Sequence, residues 1–212
     1  MKKNRFTPFQ IVVHISSLIP LGLLIWDYFT NNLTFNPIQE ATLRTGKTAI
    51  VLLVLSIAAT PLNTLFKFRQ ALKVRSALGL YTFFFAALHG LIFIGADYGF
   101  NWSYIKEALF EKRFALIGML AFLAMLPLAI TSTDGWKKRL KQSWKRLHRL
   151  AYLAGILAVI HFTWLVKSDI REPLVYGLIV LLLLTLRIPA IRRWSSNLKL
   201  DKMFPRNLNT TN

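Results

Sequence analysis

There is no cysteine among the 212 residues. That excludes disulfides, iron–sulfur clusters and thiolate metal sites. Carboxylates are scarce as well: nine Asp and Glu stand against 27 Lys and Arg, a net charge of +18. No GxGxxG or P-loop motif occurs, so no Gly-rich phosphate cradle is expected. No internal repeat or low-complexity segment is visible. No polar connection exceeds about 18 residues, which leaves no room for a soluble catalytic domain.

What the chain does have is long apolar runs. It is 54% hydrophobic with a mean hydropathy of +0.44. Hydrocarbon about 30 Å thick needs roughly 20 helical residues at about 1.5 Å each. Six stretches approach that length: residues 9–29, 48–66, 77–96, 114–131, 150–166 and 173–186. The expected fold is an all-α integral membrane protein, a six-transmembrane-helix bundle forming a single domain over 1–212 with a basic tail at 190–212. Pro20, Pro61 and Pro127 fall inside these runs, where neighbouring helices can satisfy the freed carbonyls.

Charge gives the orientation. The N-terminus, the second and fourth connections and the tail together carry 20 Lys/Arg; connections 31–47, 97–113 and 167–172 carry 7. Cytoplasmic loops are enriched in Lys and Arg, so both termini are expected in the cytoplasm. Seven of the nine acidic residues, Asp27 among them, fall on the outer side. The outer side is therefore neutral and the inner side holds the whole excess. A pI near 10.7 here reflects topology and anionic lipid rather than nucleic acid, and no nucleic-acid partner is expected. The start, Met1 to Gln10 followed by an apolar run ending in Trp26-Asp27-Tyr28, lacks a small-residue cleavage site and reads as a retained first helix.

Two histidines interrupt the apolar runs. His89 lies 14 residues beyond Arg75 and His161 lies 12 beyond Arg149, placing them about 21 Å and 18 Å along helices three and five. Both helices run from inside to outside, so the two imidazoles share a depth in the outer half. A histidine in hydrocarbon is costly and faces the bundle interior with a partner. Two at one depth suit the axial ligands of a haem iron. The alternative is hydrogen-bonded glue between helices. Aromatic Tyr81, Phe83, Phe84 and Phe85 precede His89, and Gly90 follows it, surroundings that fit a flat apolar macrocycle.

His148 begins helix five, 13 residues before His161. It is either a solvated interfacial histidine or an axial ligand to a second, inner haem. Thirteen residues leave about 220° beyond three turns, so the two histidines do not share a face of a straight helix, and a bend or another helix is needed. The inner ligand's partner is open. His14 is the remaining imidazole, with a buried structural role as its alternative. Arg75 is either a positive-inside anchor or a partner for a haem propionate. Thr131 to Gly135 reads as a turn and capping segment. The basic segment from Lys137 to Arg146, with Trp136 and Trp144, is either a docking surface for a cytosolic donor or flavin phosphate, or a lipid contact. Trp102, Tyr104 and Trp164 read as interfacial aromatics.

Several segments together resemble the MsrQ (YedZ) family. They are Leu78-Gly79-Leu80-Tyr81 leading to Leu88-His89, then Leu128-Ala129-Ile130-Thr131-Ser132-Thr133, then Trp144-Lys145-Arg146-Leu147-His148-Arg149-Leu150-Ala151-Tyr152, and His161-Phe162-Thr163-Trp164. Pro173-Leu174-Val175-Tyr176 and Leu184-Thr185-Leu186-Arg187 also fit. The resemblance spans nearly the whole chain and is most specific in the Trp-x-x-Leu-His-x-Leu-x-Tyr run. It implies a ferric-reductase-like transmembrane domain with b-type haem, one or two, on His89, His148 and His161, and FMN association. It also implies that the 13-residue step on helix five can serve two haems. Unlike the eukaryotic oxidases of that superfamily, this chain has Arg75 where helix three would carry a second histidine, and no cytosolic flavin and nicotinamide domain is expected.

The resemblance implies a multi-pass protein of the bacterial inner membrane. Its expected role is to carry electrons from membrane quinol or a cytosolic flavin reductase to a periplasmic molybdopterin-containing subunit that reduces protein methionine sulfoxide. The chain is then an electron-transfer subunit of an oxidoreductase, with no substrate catalysis of its own. A ferric or cupric reductase would use the same haem core with another acceptor. A haem-free, proton-coupled transporter would use the histidines as relays, but the helices have almost no buried acid and no paired broken helices.

Overall fold

The computed structural model describes residues 6–166 and 169–188; the basic tail expected at 190–212 lies outside them. All regular structure among the described residues is helical. The elements are α1 (Pro8–Phe29), α2 (Pro37–Phe66), α3 (Arg69–Ile92, continued by a π-helical turn Phe93–Asp97), α4 (Trp102–Glu111), α5 (Arg113–Ile130), α6 (Asp134–Leu147), α7 (Leu150–Leu165) and α8 (Arg171–Thr185).

Helix starts follow local chemistry. Thr7 and Gln10 form a reciprocal capping box with Pro8 in the first turn, satisfying two orphan amides. Asn36 before Pro37 and Asn101 before Trp102 repeat the side-chain cap. Helices α2 and α3 begin 11 and 8 residues before their apolar runs. Hydropathy delimits the part in hydrocarbon, whereas Arg, Lys and Gln propagate a helix into the interface.

Helices α1, α2, α3 with its π turn, and α5 are each long and apolar enough to cross a membrane; α6 with α7, bent by 47° at their junction, makes a fifth. Helix α8 has 15 residues, about 22 Å of helix, shorter than the hydrocarbon alone. Two segments expected as connections are helical: residues 97–113 contain α4, and the basic stretch after Thr133 is α6. Both are amphipathic, a pattern invisible to a search for apolar runs.

Helix α2 is the centre, packing on α1, α3, α7 and α8. Its partnership with α3 buries Ala49, Leu52, Val74, Leu78 and Phe85. Leu53 and Ile57 pack with Leu183 of α8 and Ala158 of α7. Small residues set the close approach of α7: Ala154 is fully buried, and a Cβ on Gly155 would sit 3.1 Å from the Ile57 side chain. The outward surface is apolar. Val12, Leu23, Leu123, Leu178 and Leu181 are all exposed, as lipid-facing positions are. Buried Thr45 and Thr82 return their hydroxyls to the helix, on the carbonyls of Ala41 at 2.7 Å and Leu78 at 2.9 Å.

The two ends differ in charge. At the neutral end Arg44 pairs with Asp27 of α1 and with Glu40, both at 2.5 Å, and Lys47 pairs with Glu172 of α8 at 2.6 Å. Lys112 there donates to the Tyr98 hydroxyl at 2.7 Å, a bond that holds its ammonium above the usual range. At the basic end Asp134 pairs with Lys137 at 2.9 Å.

Candidate functional site

His89 occupies the last turn of α3 and His161 the last turns of α7. Their ring centres are 6.0 Å apart and their planes are nearly perpendicular, at 86°. The depth match argued from residue spacing is therefore a contact in space. Close backbone packing joins α3 to α2 and α7 to α5, so the two imidazoles meet between two helix pairs.

Each imidazole is held the same way. His89 Nδ1 lies 2.8 Å from the carbonyl of Thr42, and His161 Nδ1 lies 2.7 Å from the carbonyl of Phe114. A carbonyl only accepts, so Nδ1 carries the proton and Nε2 keeps its lone pair. Nε2 of neither ring has a protein hydrogen-bond partner among the described residues. This is the arrangement in which an outer partner orients a metal-binding histidine.

A glycine stands four residues after each accepting carbonyl. A Cβ on Gly46 would lie 3.0 Å from His89 Nδ1, and one on Gly118 would lie 2.7 Å from His161 Nδ1. At Gly118 the ring would have to shift to admit a Cβ, and at Gly46 it would have to give by a few tenths of an ångström. In both halves the sequence separation between carbonyl and histidine is 47 residues. No repeat is readable in the residue types, yet the α2–α3 and α5–α7 pairs repeat one device. Thr42, Gly46, Phe114 and Gly118 are thus site residues that sequence reasoning missed; the equal spacing was their one visible trace.

The donor set fits an iron-centred macrocycle. Two imidazoles on opposite sides of one metal have ring centres about 6 Å apart, since each metal–nitrogen bond is about 2 Å and the nitrogen lies about 1 Å from its ring centre. The surroundings are apolar and aromatic: Phe114 lies 6.2 Å from the His161 ring, and Phe83 of α3 stacks on Phe122 of α5 at 5.1 Å.

The other candidates lie elsewhere. His148 caps the end of α6 before α7 begins, at the 47° bend between the two helices. Its Nε2 is 3.1 Å from the Thr131 hydroxyl, and its ring stacks on Trp144 at 3.9 Å. Trp144 in turn donates to the Thr131 carbonyl at 2.8 Å. His14 Nδ1 lies 2.9 Å from the Tyr81 hydroxyl, with Phe6 against its ring. Arg75 donates to the Thr60 hydroxyl at 3.2 Å. No cluster of three His, Cys, Asp or Glu occurs among the described residues. A cavity of about 590 Å³ between α1, α2 and α3, lined by Val13, Pro20, Val51, Leu55 and Leu78, includes none of the four histidines. Trp102, Tyr104 and Trp164 are exposed near the neutral end, where interfacial aromatics belong.

A family model described as the ferric reductase like transmembrane component matches residues 45–159. That block holds Gly46, Arg75, His89, Gly118 and His148 and stops two residues before His161. Among curated proteins, the chain is 43% identical over 185 residues to a protein-methionine-sulfoxide reductase heme-binding subunit MsrQ from Xanthomonas campestris pv. campestris, covering 84% of this chain and 85% of that protein. The subunit of the same name from Caulobacter vibrioides is 36% identical over 186 residues, covering 87% and 89%. No solved structure matches the chain.

Proposed function

The chain belongs to the MsrQ family, within the ferric-reductase-like transmembrane proteins, and from that premise we propose that it binds b-type haem between His89 and His161 and carries electrons across the membrane. It is a multi-pass protein of the bacterial inner membrane. The observation that carries the proposal is the pair of imidazoles 6.0 Å apart, each with its Nδ1 proton on a backbone carbonyl.

A bound haem supplies a one-electron centre whose properties the protein tunes. The residues of the chain do the rest. The Thr42 and Phe114 carbonyls fix both tautomers, so each Nε2 is available as a ligand. Gly46 and Gly118 admit the rings to that position. The apolar flanks of α3, α5 and α7 exclude water and lower the local dielectric. His148, stacked on Trp144 at the basic end, is the residue we assign to a second haem where two are bound, with Arg75 and His14 as secondary candidates around it.

The full reading has six spans with α8 as the last, and both termini in the cytoplasm. The enrichment of Lys and Arg at one end and the paired charges at the other support it. The relatives are named as heme-binding subunits of a protein-methionine-sulfoxide reductase, which supports delivery to a periplasmic molybdenum-containing catalytic subunit that repairs methionine sulfoxide. Quinol or a cytosolic flavin reductase is the donor in this reading, and FMN an additional cofactor.

The test is the optical spectrum and pyridine haemochrome of the detergent-purified protein, beside His89→Ala and His161→Ala. The wild type should show the low-spin b-type bands, and each variant should lose a full haem equivalent while remaining monodisperse. Unchanged haem in both variants would remove the assignment. A haem-free wild type, expressed with adequate haem, would bring forward the proton-relay transporter.

A further inference from the structure

Lys112 is the last residue before α5, and its side chain makes no capping bond to that helix. An Asp, Asn, Ser or Thr would ordinarily hold such a turn. The omission matters because Phe114, two residues on, offers the carbonyl that accepts from His161 Nδ1 at 2.7 Å, and helix ends without caps fray. The Lys112 side chain reaches back to Tyr98 instead. Its Nζ donates to the Tyr98 hydroxyl at 2.7 Å and lies 5.4 Å from the ring centre. Among the described residues, no ion pair uses Lys112.

Tyr98 belongs to the other arm of the histidine pair. Its ring packs on Phe93 at 4.8 Å, and Phe93 stands one turn beyond His89, where α3 passes into its π turn. Such turns are rare and occur mostly at functional sites. The chain then closes tightly. Gly99 and Phe100 are both left-handed, with φ 55° and 57°. Glycine adopts that conformation freely and phenylalanine does not. Two contacts hold Phe100 there. Its N–H donates to the Ile94 carbonyl at 3.0 Å, and its ring lies where a Cβ on Gly95 would come to 2.8 Å. Strained backbone persists where the surrounding structure fixes it. Here the closure delivers the Tyr98 hydroxyl to Lys112.

We propose that Tyr98 and Lys112 are positioning residues for the histidine pair. The path runs from His89 through Phe93, Tyr98 and Lys112 to Phe114 and His161. One hydrogen bond therefore ties the two sockets together at the neutral end of the bundle and fixes the angle between the imidazole planes, 86°. Among the described residues, neither side chain bonds to an imidazole, whose Nδ1 partners are the Thr42 and Phe114 carbonyls. Both act through the backbone that carries the sockets, as outer partners orient a metal ligand. The inference rests on the haem reading above, because the angle between two imidazoles acquires a chemical meaning at a shared iron. There it sets the anisotropy of the low-spin EPR signal.

The experiment uses the full chain in detergent, with and without haem. Tyr98→Phe keeps the ring contact and removes the acceptor. Lys112→Met keeps the stem and removes the donor, and Lys112→Arg restores a donor. Lys106→Met, on the exposed side of α4, is the control. Haem content and EPR g-values are read on the loaded protein, and hydrogen exchange of the first turn of α5 on the haem-free protein. Tyr98→Phe, Lys112→Met and the double variant should keep their haem, displace the largest g-value by one common amount, and speed that exchange about fivefold or more. Equal effects in the single and double variants are the mark of one shared bond. Lys112→Arg and the control should keep wild-type values. Wild-type g-values in both removing variants, or effects that add in the double variant, overturn the proposal. So does a loss of haem in Lys112→Met that Tyr98→Phe does not share, which would make Lys112 a direct partner of a haem carboxylate. A wild type without haem removes the haem reading itself. Exchange then decides the tie alone, and unchanged exchange in both variants overturns it.

Discussion

His161 and His89 are set in matching sockets, but the tolerances differ. An added Cβ at Gly118 would come to 2.7 Å of its imidazole, against 3.0 Å at Gly46. Forced overpacking of this kind costs about 1–3 kcal/mol and is relieved by moving the mobile group. Gly118→Ala should therefore push the His161 ring off the Phe114 carbonyl, lower haem occupancy and shift the low-spin EPR g-values. Gly46→Ala should do less of each. Equal effects, or none, would mean that the glycines do not position the rings. At this scale the histidines were legible because a titratable group in hydrocarbon is anomalous. Their sockets were not, since a backbone carbonyl and a glycine carry no anomaly in a membrane helix, where glycine is common.

Helix α6 carries the least regular backbone among the described helices. Lys141 within it has φ 47° and ψ −115°, a conformation that L side chains avoid and that costs about 1–3 kcal/mol. The kink turns the second half of α6 so that Trp144 meets both Thr131 and the His148 ring. Lys141→Gly should raise the stability of the purified protein by about 1 kcal/mol, seen as a few degrees in its thermal transition, and Lys141→Val should lower it. A lower midpoint for the glycine variant would show that the kink is not strained. The apolar cores of α1, α3, α5 and α7 were readable as long hydrophobic runs. Helices α4 and α6 were not, because amphipathic helices at an interface have composition close to that of a loop. Pro61 was read as tolerable, but the Ile57 carbonyl that it frees accepts from Arg187 at 2.5 Å, which depends on where α8 ends, and that is a tertiary fact.

Across the whole molecule the charge asymmetry takes physical form. The neutral end closes its charges into interhelical pairs, Asp27–Arg44 and Lys47–Glu172, while most Lys and Arg gather at the opposite end. If the basic end faces the cytoplasm, the histidine pair lies toward the periplasm, because Thr42, Phe114 and the last turns of α3 and α7 all belong to the neutral end. The absence of native cysteine makes this directly measurable. Single cysteines at exposed Glu107 in α4, exposed Lys138 in α6 and Asn207 in the tail are treated with a membrane-impermeant maleimide in spheroplasts. Glu107→Cys should label in intact cells, and Lys138→Cys and Asn207→Cys only after lysis. Labelling of Asn207→Cys in intact cells would mean that the 15-residue α8 does not cross, leaving five spans. Labelling of Lys138→Cys in place of Glu107→Cys would invert the protein, put the histidine pair on the cytoplasmic side, and rule out delivery of electrons to a periplasmic acceptor.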